Sequence, residues 1–322
     1  MSAVSTAAAG FDGYVDRIVR VVRESGENAA GFYRRINDFS EAVRGMAGYS
    51  GEFELVTANV RIGGNAVNMA DALARNGVKV KLIAAAGHKV FDELHSDIEL
   101  LSYGVPGDTM ALEFDDGKVM LADSSGMRAS IISASRDGQI RAQIEDAYTE
   151  ASLCVLANWA CMPEMQDMWD IAAGAVNKRN DSPLVFLDLA DFTKRRDVDI
   201  KRLVNFIKAL SGRVYLGLNE KETLMLAKRL GYAGNGLSSS ARDIYAAAGC
   251  GVVAHAVGYS AFCGQSGEIT VKGRISENPV ISTGAGDRFN ATWCWAAVNG
   301  YTMEDALSYA NGAVYQYVSS GA

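Results

Sequence analysis

RVYLGLNEKETLMLAKRLG, residues 213–231, compresses a short apolar run, a polar turn, an amphipathic helix and a glycine stop into one continuous stretch. An apolar run of this length that ends on a polar residue, here Asn219, reads as a strand buried on both faces, the kind found in parallel sheets. In KETLMLAKRLG the apolar residues recur at helical spacing, and Gly231 supplies the terminator. The same unit recurs on either side. LIAAAG (82–87), SLCVLAN (152–158), LVFLDL (184–189) and GVVAHAVG (251–258) read as further buried strands, and NAVNMADALARNG (65–77) as a further amphipathic helix. Strand and helix alternating in this way predict an α/β chain with a doubly wound, mainly parallel sheet, covered by helices on both faces. Ligands of such sheets bind at the carboxyl ends of the strands. Two stretches break the rhythm: FELVTANVRIGG (53–64) and DTMALEFDDGKVMLAD (108–123), which alternate as antiparallel strands do, the second around a DDG turn. They form either a small sheet set apart or edge hairpins on the main one. No repeat, low-complexity tract or linker divides residues 1–322, so the chain is read as one domain.

Composition narrows the function classes. Of 322 residues 49% are hydrophobic and 21% charged, the balance of a globular protein with a sizeable core. A formal net charge of −7 argues against a nucleic-acid partner, which needs a concentrated basic face. No apolar run reaches the ~20 residues that span a bilayer, and MSAVSTAAAG lacks the apolar region of a leader, so no membrane association and a cytoplasmic location are expected. Five scattered cysteines without a C-x-x-C pair, and only three histidines, favour reduced core thiols over disulfides or zinc.

The strongest chemical signal is STGAGDRFNATWCWAAVNG (282–300), a small-residue turn opening an apolar helix. Gly284 and Gly286, lacking side chains, let backbone N–H groups converge on an anion, and the helix dipole adds about half a positive charge there. A phosphoryl group in transfer suits this place. Asp287 then stands beside it as a base for a nucleophilic hydroxyl, unless it is only a carboxylate that the helix dipole favours. RIGGNAVNMADAL (61–73) is a second glycine turn into a helix, whose Asn65 and Asn68 match sugar hydroxyls or serve simply as turn and cap residues. GFDGYVD (10–16) offers Asp12 and Asp16 as acceptors for vicinal hydroxyls. Asn219 and Glu222 in NEKE have capping-box spacing, and equally the makings of a magnesium site. A GxxxxGK[ST] phosphate loop is missing from the sequence.

In this order, GGNAVNMADAL, NEKE and STGAGDRFNA resemble the two glycine signatures and the N-x-x-E motif of the ribokinase-like (pfkB) carbohydrate kinases, and the likeness extends over nearly the whole chain. The resemblance implies an ATP-dependent kinase that phosphorylates a hydroxyl of a sugar or sugar-like molecule. It implies a ribokinase-like α/β domain over 1–322, with lid strands inserted at about 53–62 and 108–123, and allows a homodimer through that lid. Asp287 would be the base, and the backbone of Gly284, Ala285 and Gly286 the anion hole. Asp12, Asp16, Gly64, Asn65 and Asn68 would meet the acceptor. Asn219, Gly258, Ser260 and Asn311 would border the nucleotide, and Asn219 with Glu222 would hold Mg²⁺ through water. The alternatives are a nucleoside or phosphosugar kinase of the same family, or a sugar-binding regulatory protein without turnover. Asn65, where phosphosugar members commonly carry Lys, argues against a phosphorylated acceptor, although Arg61 and lid residues offer charge of their own.

The family's D-x-N-x-R segment reads DLADF (188–192) here, which leaves the roles of Asp188 and Asp191 open. Ile281 occupies the place six residues before Asp287 where many members carry an acid near a monovalent cation. At ~5 Å and an effective dielectric near 20, one carboxylate is worth up to roughly 3 kcal/mol to such an ion before desolvation. Activity is therefore expected to depend little on K⁺. kcat/KM should agree between K⁺ and a large organic cation at equal ionic strength, and activation by K⁺ beyond about tenfold would show that Ile281 says nothing about the cation.

Overall fold

One buried strand of the main sheet is built largely of alanine. Thr6–Phe11 lies between Lys79–Ala84 and Leu153–Leu156 and runs parallel to both. The computed structural model describes residues 6–24, 31–277, 279–280 and 283–320. In it the main sheet runs Gly267–Lys272, Tyr259–Gly264, Gly251–Ala256, Arg213–Asn219, Leu184–Asp188, Leu153–Leu156, Thr6–Phe11, Lys79–Ala84, Ile98–Ser102. Neighbours are parallel except in the meander that begins at Gly251–Ala256, where the pairings turn antiparallel.

Side chains alternate across this sheet with period two and feed two cores. Ala7, Ala9, Leu153, Val155, Leu184 and Phe186 face Met69, Leu73, Phe289, Trp293 and Leu307. Ala8, Cys154, Leu156, Val185 and Leu187 face the opposite way, toward Tyr148, Trp169, Leu203 and Ile244. Burial on both faces is why these strands read as unbroken apolar runs. Helix Asn65–Arg75 and helix Glu220–Arg229 occupy the expected stretches, and Gly77 and Gly231 follow them with φ of 79° and 93°. Glycine adopts that left-handed backbone without a steric penalty.

The two irregular stretches belong to a separate small sheet and not to the edge of the main one. Leu55–Gly63, Gly107–Phe114 and Gly117–Asp123 join it, the last two as a hairpin turning through Asp115 and Asp116. Its centre, Tyr14–Glu24, and the short Gly31–Phe32 have no counterpart in the sequence reading. The register slips between Ile18 and Val19, and buried residues then recur as pairs instead of alternating, so the strand carries no period-two signal. This sheet has a core of its own: Val19, Val21, Leu112 and Phe114 pack with helix Ile36–Gly45 through Tyr33, Phe39 and Phe53. Asp116 accepts a hydrogen bond from Ile36 N (2.9 Å) and so ties the hairpin turn to the helix start.

Phe39 meets Tyr33, Phe53 and Phe114 at ring-centroid distances of 4.9–5.7 Å. Phe39→Ala is expected to cost about 2–4 kcal/mol and to act on the small sheet alone. Hydrogen exchange should accelerate across 14–63 and 107–123 while strands 153–156 and 184–188 keep their protection; loss of protection in both sheets together would show a single cooperative unit.

Candidate active site

Asp12 follows directly on the strand Thr6–Phe11, at its carboxyl end. Its Oδ2 accepts from Asn65 N (2.9 Å) and Asn158 Nδ2 (2.7 Å), and its Oδ1 from Ala66 N (2.9 Å). The carboxylate thus caps helix Asn65–Arg75 from outside, on amides that have no partner within the helix. Burial nevertheless wins over these three donors and raises the Asp12 carboxyl above its ordinary range. Gly64, with φ of 110°, is required here, because a Cβ would lie 3.0 Å from Asp12 Oδ2.

Two asparagines of the same helix reach the other acids. Asn68 Nδ2 donates to Asp287 Oδ2 (2.8 Å), and Asn65 Nδ2 to Asp188 Oδ2 (3.3 Å). Asp188 also accepts from Asn290 Nδ2 (3.4 Å) and from Ala190 N (2.8 Å). Asn290 Oδ1 is buried without a partner among the described residues. Asp287 sits in the first turn of helix Ala285–Val298. Desolvation by the surrounding protein, then the neighbouring Asp188, push its carboxyl well above the usual range against the pull of Asn68. Arg288 N bonds to Gly284 O (2.9 Å), so the amides of Ala285, Gly286 and Asp287 are left free of helical partners.

Asn219 and Glu222 do form the capping box: Glu222 N donates to Asn219 Oδ1 (2.9 Å) and Asn219 N to Glu222 Oε2 (3.0 Å). The carboxyl of Glu222 is 8% exposed, and burial, with Asp188 nearby, raises it to about 7. Asp191 stays out of this group. Burial would raise it, but Thr193 and Lys221, the latter at 2.9 Å, hold it down at about 2. Among the described residues no three His, Cys, Asp or Glu side chains converge to hold a metal unaided. A magnesium ion carried largely by water and phosphate oxygens needs only one or two such groups, and the buried, proton-hungry Glu222 with Asn219 is a donor set of that kind.

Two cavities flank the glycine turn. One of about 570 Å³ is lined by Asn219, Gly258, Ala285, Gly286 and Asn311, together with apolar side chains such as Val257, Ile275 and Val314. His255 lines it too, kept neutral by burial that lowers its pKa to about 4. Ser260 does not reach this space. It is fully buried and accepts from Asn311 Nδ2 (2.9 Å), so it stands behind the wall. The other cavity, about 120 Å³, brings Asp16 and Arg61 of the small sheet together with Asn68, Gly284, Arg288 and Tyr317. Of the expected site residues, Asn219, Gly258, Ala285, Gly286 and Asn311 line the larger cavity and Asp16, Asn68 and Gly284 the smaller, Asp12, Gly64, Asn65, Glu222, Ser260 and Asp287 line neither, and Ile281 lies outside the described residues.

Sequence reasoning missed Asn158 and Asn290, and it left Asp188 open. Asn158 and Ala190 are the non-glycine residues of positive φ among the described ones, at 54° and 56°. Each follows a central strand and donates to a buried acid, and such strained conformations collect at functional sites. The polar end of SLCVLAN was the only hint of Asn158.

Residues 3–322 match the family described as prokaryotic ketohexokinase. A curated protein named ketohexokinase from Haloferax volcanii is 29% identical over 97% of this chain and 86% of its own length. Among solved structures, an adenosine kinase from Sinorhizobium meliloti superposes with a TM-score of 0.69 at 13% identity, over 99% of this chain and 94% of the other. A ribokinase from Thermotoga maritima gives 0.66 at 16% identity, over 98% and 93%. At these identities the two structures speak for the fold alone.

The crowding of acids has a measurable cost. A carboxyl raised on folding contributes stability below its unfolded pKa and loses it as pH climbs through the folded value. For Glu222 that window runs from the ordinary 4.5 to about 7. In magnesium-free buffer Glu222→Gln, which preserves the capping box, should raise stability at pH 8 by about 1–3 kcal/mol, one pKa unit being ~1.4 kcal/mol, and the gain should vanish near pH 4. Denaturant midpoints at the two pH values check this; a variant less stable than wild type at pH 8 would contradict it.

Proposed function

The chain belongs to the prokaryotic ketohexokinase family, and on that premise we propose that this carbohydrate kinase transfers the terminal phosphoryl group of ATP to a primary hydroxyl of a ketohexose, with Asp287 as the base. The observation that carries the reading is the position of Asp287. It lies on the helix turn shared by the two cavities, with Oδ2 held by Asn68 and its basicity raised by desolvation and Asp188. Oδ1 is then the oxygen left for the acceptor's proton. A carboxyl pushed upward is a better base at neutral pH than an ordinary aspartate.

Backbone amides of Gly284, Ala285 and Gly286 would meet the charge that develops on the transferred group. Asp12, Gly64, Asn65 and Asn68 would orient the acceptor, since carboxylate oxygens keep lone pairs beyond those used by the cap. Asp16 would close over it from the lid. Asn219, Gly258 and Asn311 would border the nucleotide, with Ser260 orienting Asn311. Mg²⁺ bound with the nucleotide would neutralise phosphate charge, and Asn219 and Glu222 would hold it through water.

Exposed Leu55, Val56 and Val60 on one outer strand of the lid, and Met120 and Leu121 on the other, support a homodimer through the lid. Reliance on ATP and five unpaired cysteines support a cytoplasmic location. Asn65 in the place of a cation disfavours a phosphosugar, and the family match favours a ketohexose over a nucleoside.

Asp287→Asn should lower kcat by at least about 10²-fold while leaving nucleotide binding intact. Assayed with Mg·ATP and a panel of ketohexoses, aldohexoses, phosphosugars and nucleosides, the wild type should turn over a ketohexose with the highest kcat/KM. A variant retaining more than half of wild-type kcat would remove Asp287 from the role of base, and a nucleoside at the head of the panel would reassign the acceptor.

A further inference from the structure

A cavity of about 1100 Å³ lies at the opposite end of the sheet from the acids. It is lined where strands Arg213–Asn219 and Gly251–Ala256 begin and where Gln265 and Ser266 join the last two strands. A strand of this length puts it about 20 Å from Asn219, at ~3.3 Å per residue. Its size suits a small organic ligand.

The lining has a definite chemical character. The chain has 38 acidic and 31 basic residues, yet this cavity contains Lys208 and Arg213 and not one carboxylate. Neither cation takes part in an ion pair or a side-chain hydrogen bond among the described residues. Both are exposed. Thr302 and Met303 bring the amino end of the helix Met303–Ser320 to the same space, with Thr302 Oγ1 accepting from Asp305 N (3.1 Å) and donating to the Asp305 carboxylate. That helix end adds positive field, which Asp305 offsets in part. Tyr215, Tyr245 and Tyr301 supply flat, half-buried rings. Leu210 and Gly249, the carboxyl caps of two further helices, bring carbonyls that accept from a hydroxyl or amino group.

We propose that this cavity is a second small-molecule site, for a flat aromatic or heterocyclic anion whose charge meets Lys208 and Arg213 and whose ring lies against the tyrosines. Free guanidinium and ammonium groups give the charge, aromatic faces give the area, and the absence of lining carboxylates removes the repulsion that most of this acidic surface would offer. The site also touches the elements that build the cleft. Tyr215 packs edge-on against Trp293 at 4.9 Å, and Trp293 lies on the helix whose first turn carries Asp287. Trp293 is therefore a native reporter of occupancy.

The test is a titration with anilinonaphthalene sulfonate, an aromatic anion, at saturating Mg·ADP so that the nucleotide cavity is filled. Probe emission and tryptophan quenching should show one saturable site. Lys208→Glu and Arg213→Glu should each weaken it by at least about tenfold, ~1.4 kcal/mol, without changing kcat. The uncharged phenylnaphthylamine should bind at least about tenfold more weakly than the sulfonate. Should charge reversal lower the melting temperature, Lys208→Gln and Arg213→Gln give the same reading with less perturbation. The proposal falls if Mg·ADP abolishes binding, if the variants bind as the wild type does, or if the neutral probe binds equally well. None of these outcomes depends on which sugar is phosphorylated.

Discussion

The three hydrogen bonds that Asp12 accepts, from Asn65 N, Ala66 N and Asn158 Nδ2, tie together the parts of the molecule that must stay in register. Asp12 follows the strand Thr6–Phe11, and Tyr14–Glu24, the centre of the small sheet, starts two residues later. The strand Leu55–Gly63 returns from the small sheet, and two residues after Gly63 the amide of Asn65 is already bonded to Asp12. Two of the connections between the sheets are therefore rooted at one carboxylate. Taking a carboxylate out of water costs several kcal/mol, and here two helix amides, the helix dipole and one side-chain amide offset it.

That anchoring holds a group of acids together that would otherwise separate. Asp12, Asp188 and Glu222 are buried, Asp287 is largely stripped of water, and desolvation raises the carboxyl of each, with neighbouring acids adding to it at Asp188, Glu222 and Asp287. A fold selected for stability alone would pair or dilute these charges. Instead amides are placed on them: Asn65, Asn68, Asn158 and Asn290 each donate to one, and the backbone enters the left-handed region at Asn158, one of these donors, and at Ala190, whose own N–H donates to Asp188. Local conflict of this kind, sustained by an otherwise consistent structure, is characteristic of functional sites.

The parts of this arrangement that sequence makes legible are those encoded by local pattern. RVYLGLN is a strand from Arg213 to Asn219 because a parallel strand covered on both faces has nothing but apolar positions to show, and NEKE caps the next helix because its spacing meets free amides. Thr6–Phe11 stays hidden because its alanines, small enough to let helices approach the sheet, do not look like a strand. Tyr14–Glu24 stays hidden because its buried residues come in pairs along the strand and show no alternation. At the site, glycines and acids in motifs are readable one by one. The contacts Asn65 to Asp188, across 123 positions, and Asn158 to Asp12, across 146, are products of topology, and no local pattern announces them.

The first turn of helix Ala285–Val298 shows how one helical period can order a two-substrate reaction. Ala285, Gly286 and Phe289 line the larger cavity, Gly284 and Arg288 the smaller one, and Asn290 points inward to Asp188. With ~100° between successive residues, these three sets occupy three sides of the helix, and Asp287 stands between them. Under the proposed reaction the nucleotide arrives along one side and the acceptor along another, so the two are presented to each other across the free amides of the turn. Neither has to pass the other, and the base is beside the acceptor without facing the phosphate chain. A larger side chain at residue 284 would meet the hydroxyl of Tyr317 at 3.2 Å, and one at residue 286 the ring of His255 at 3.4 Å. The glycines thus do more than permit the turn: they keep both approaches to it open at once.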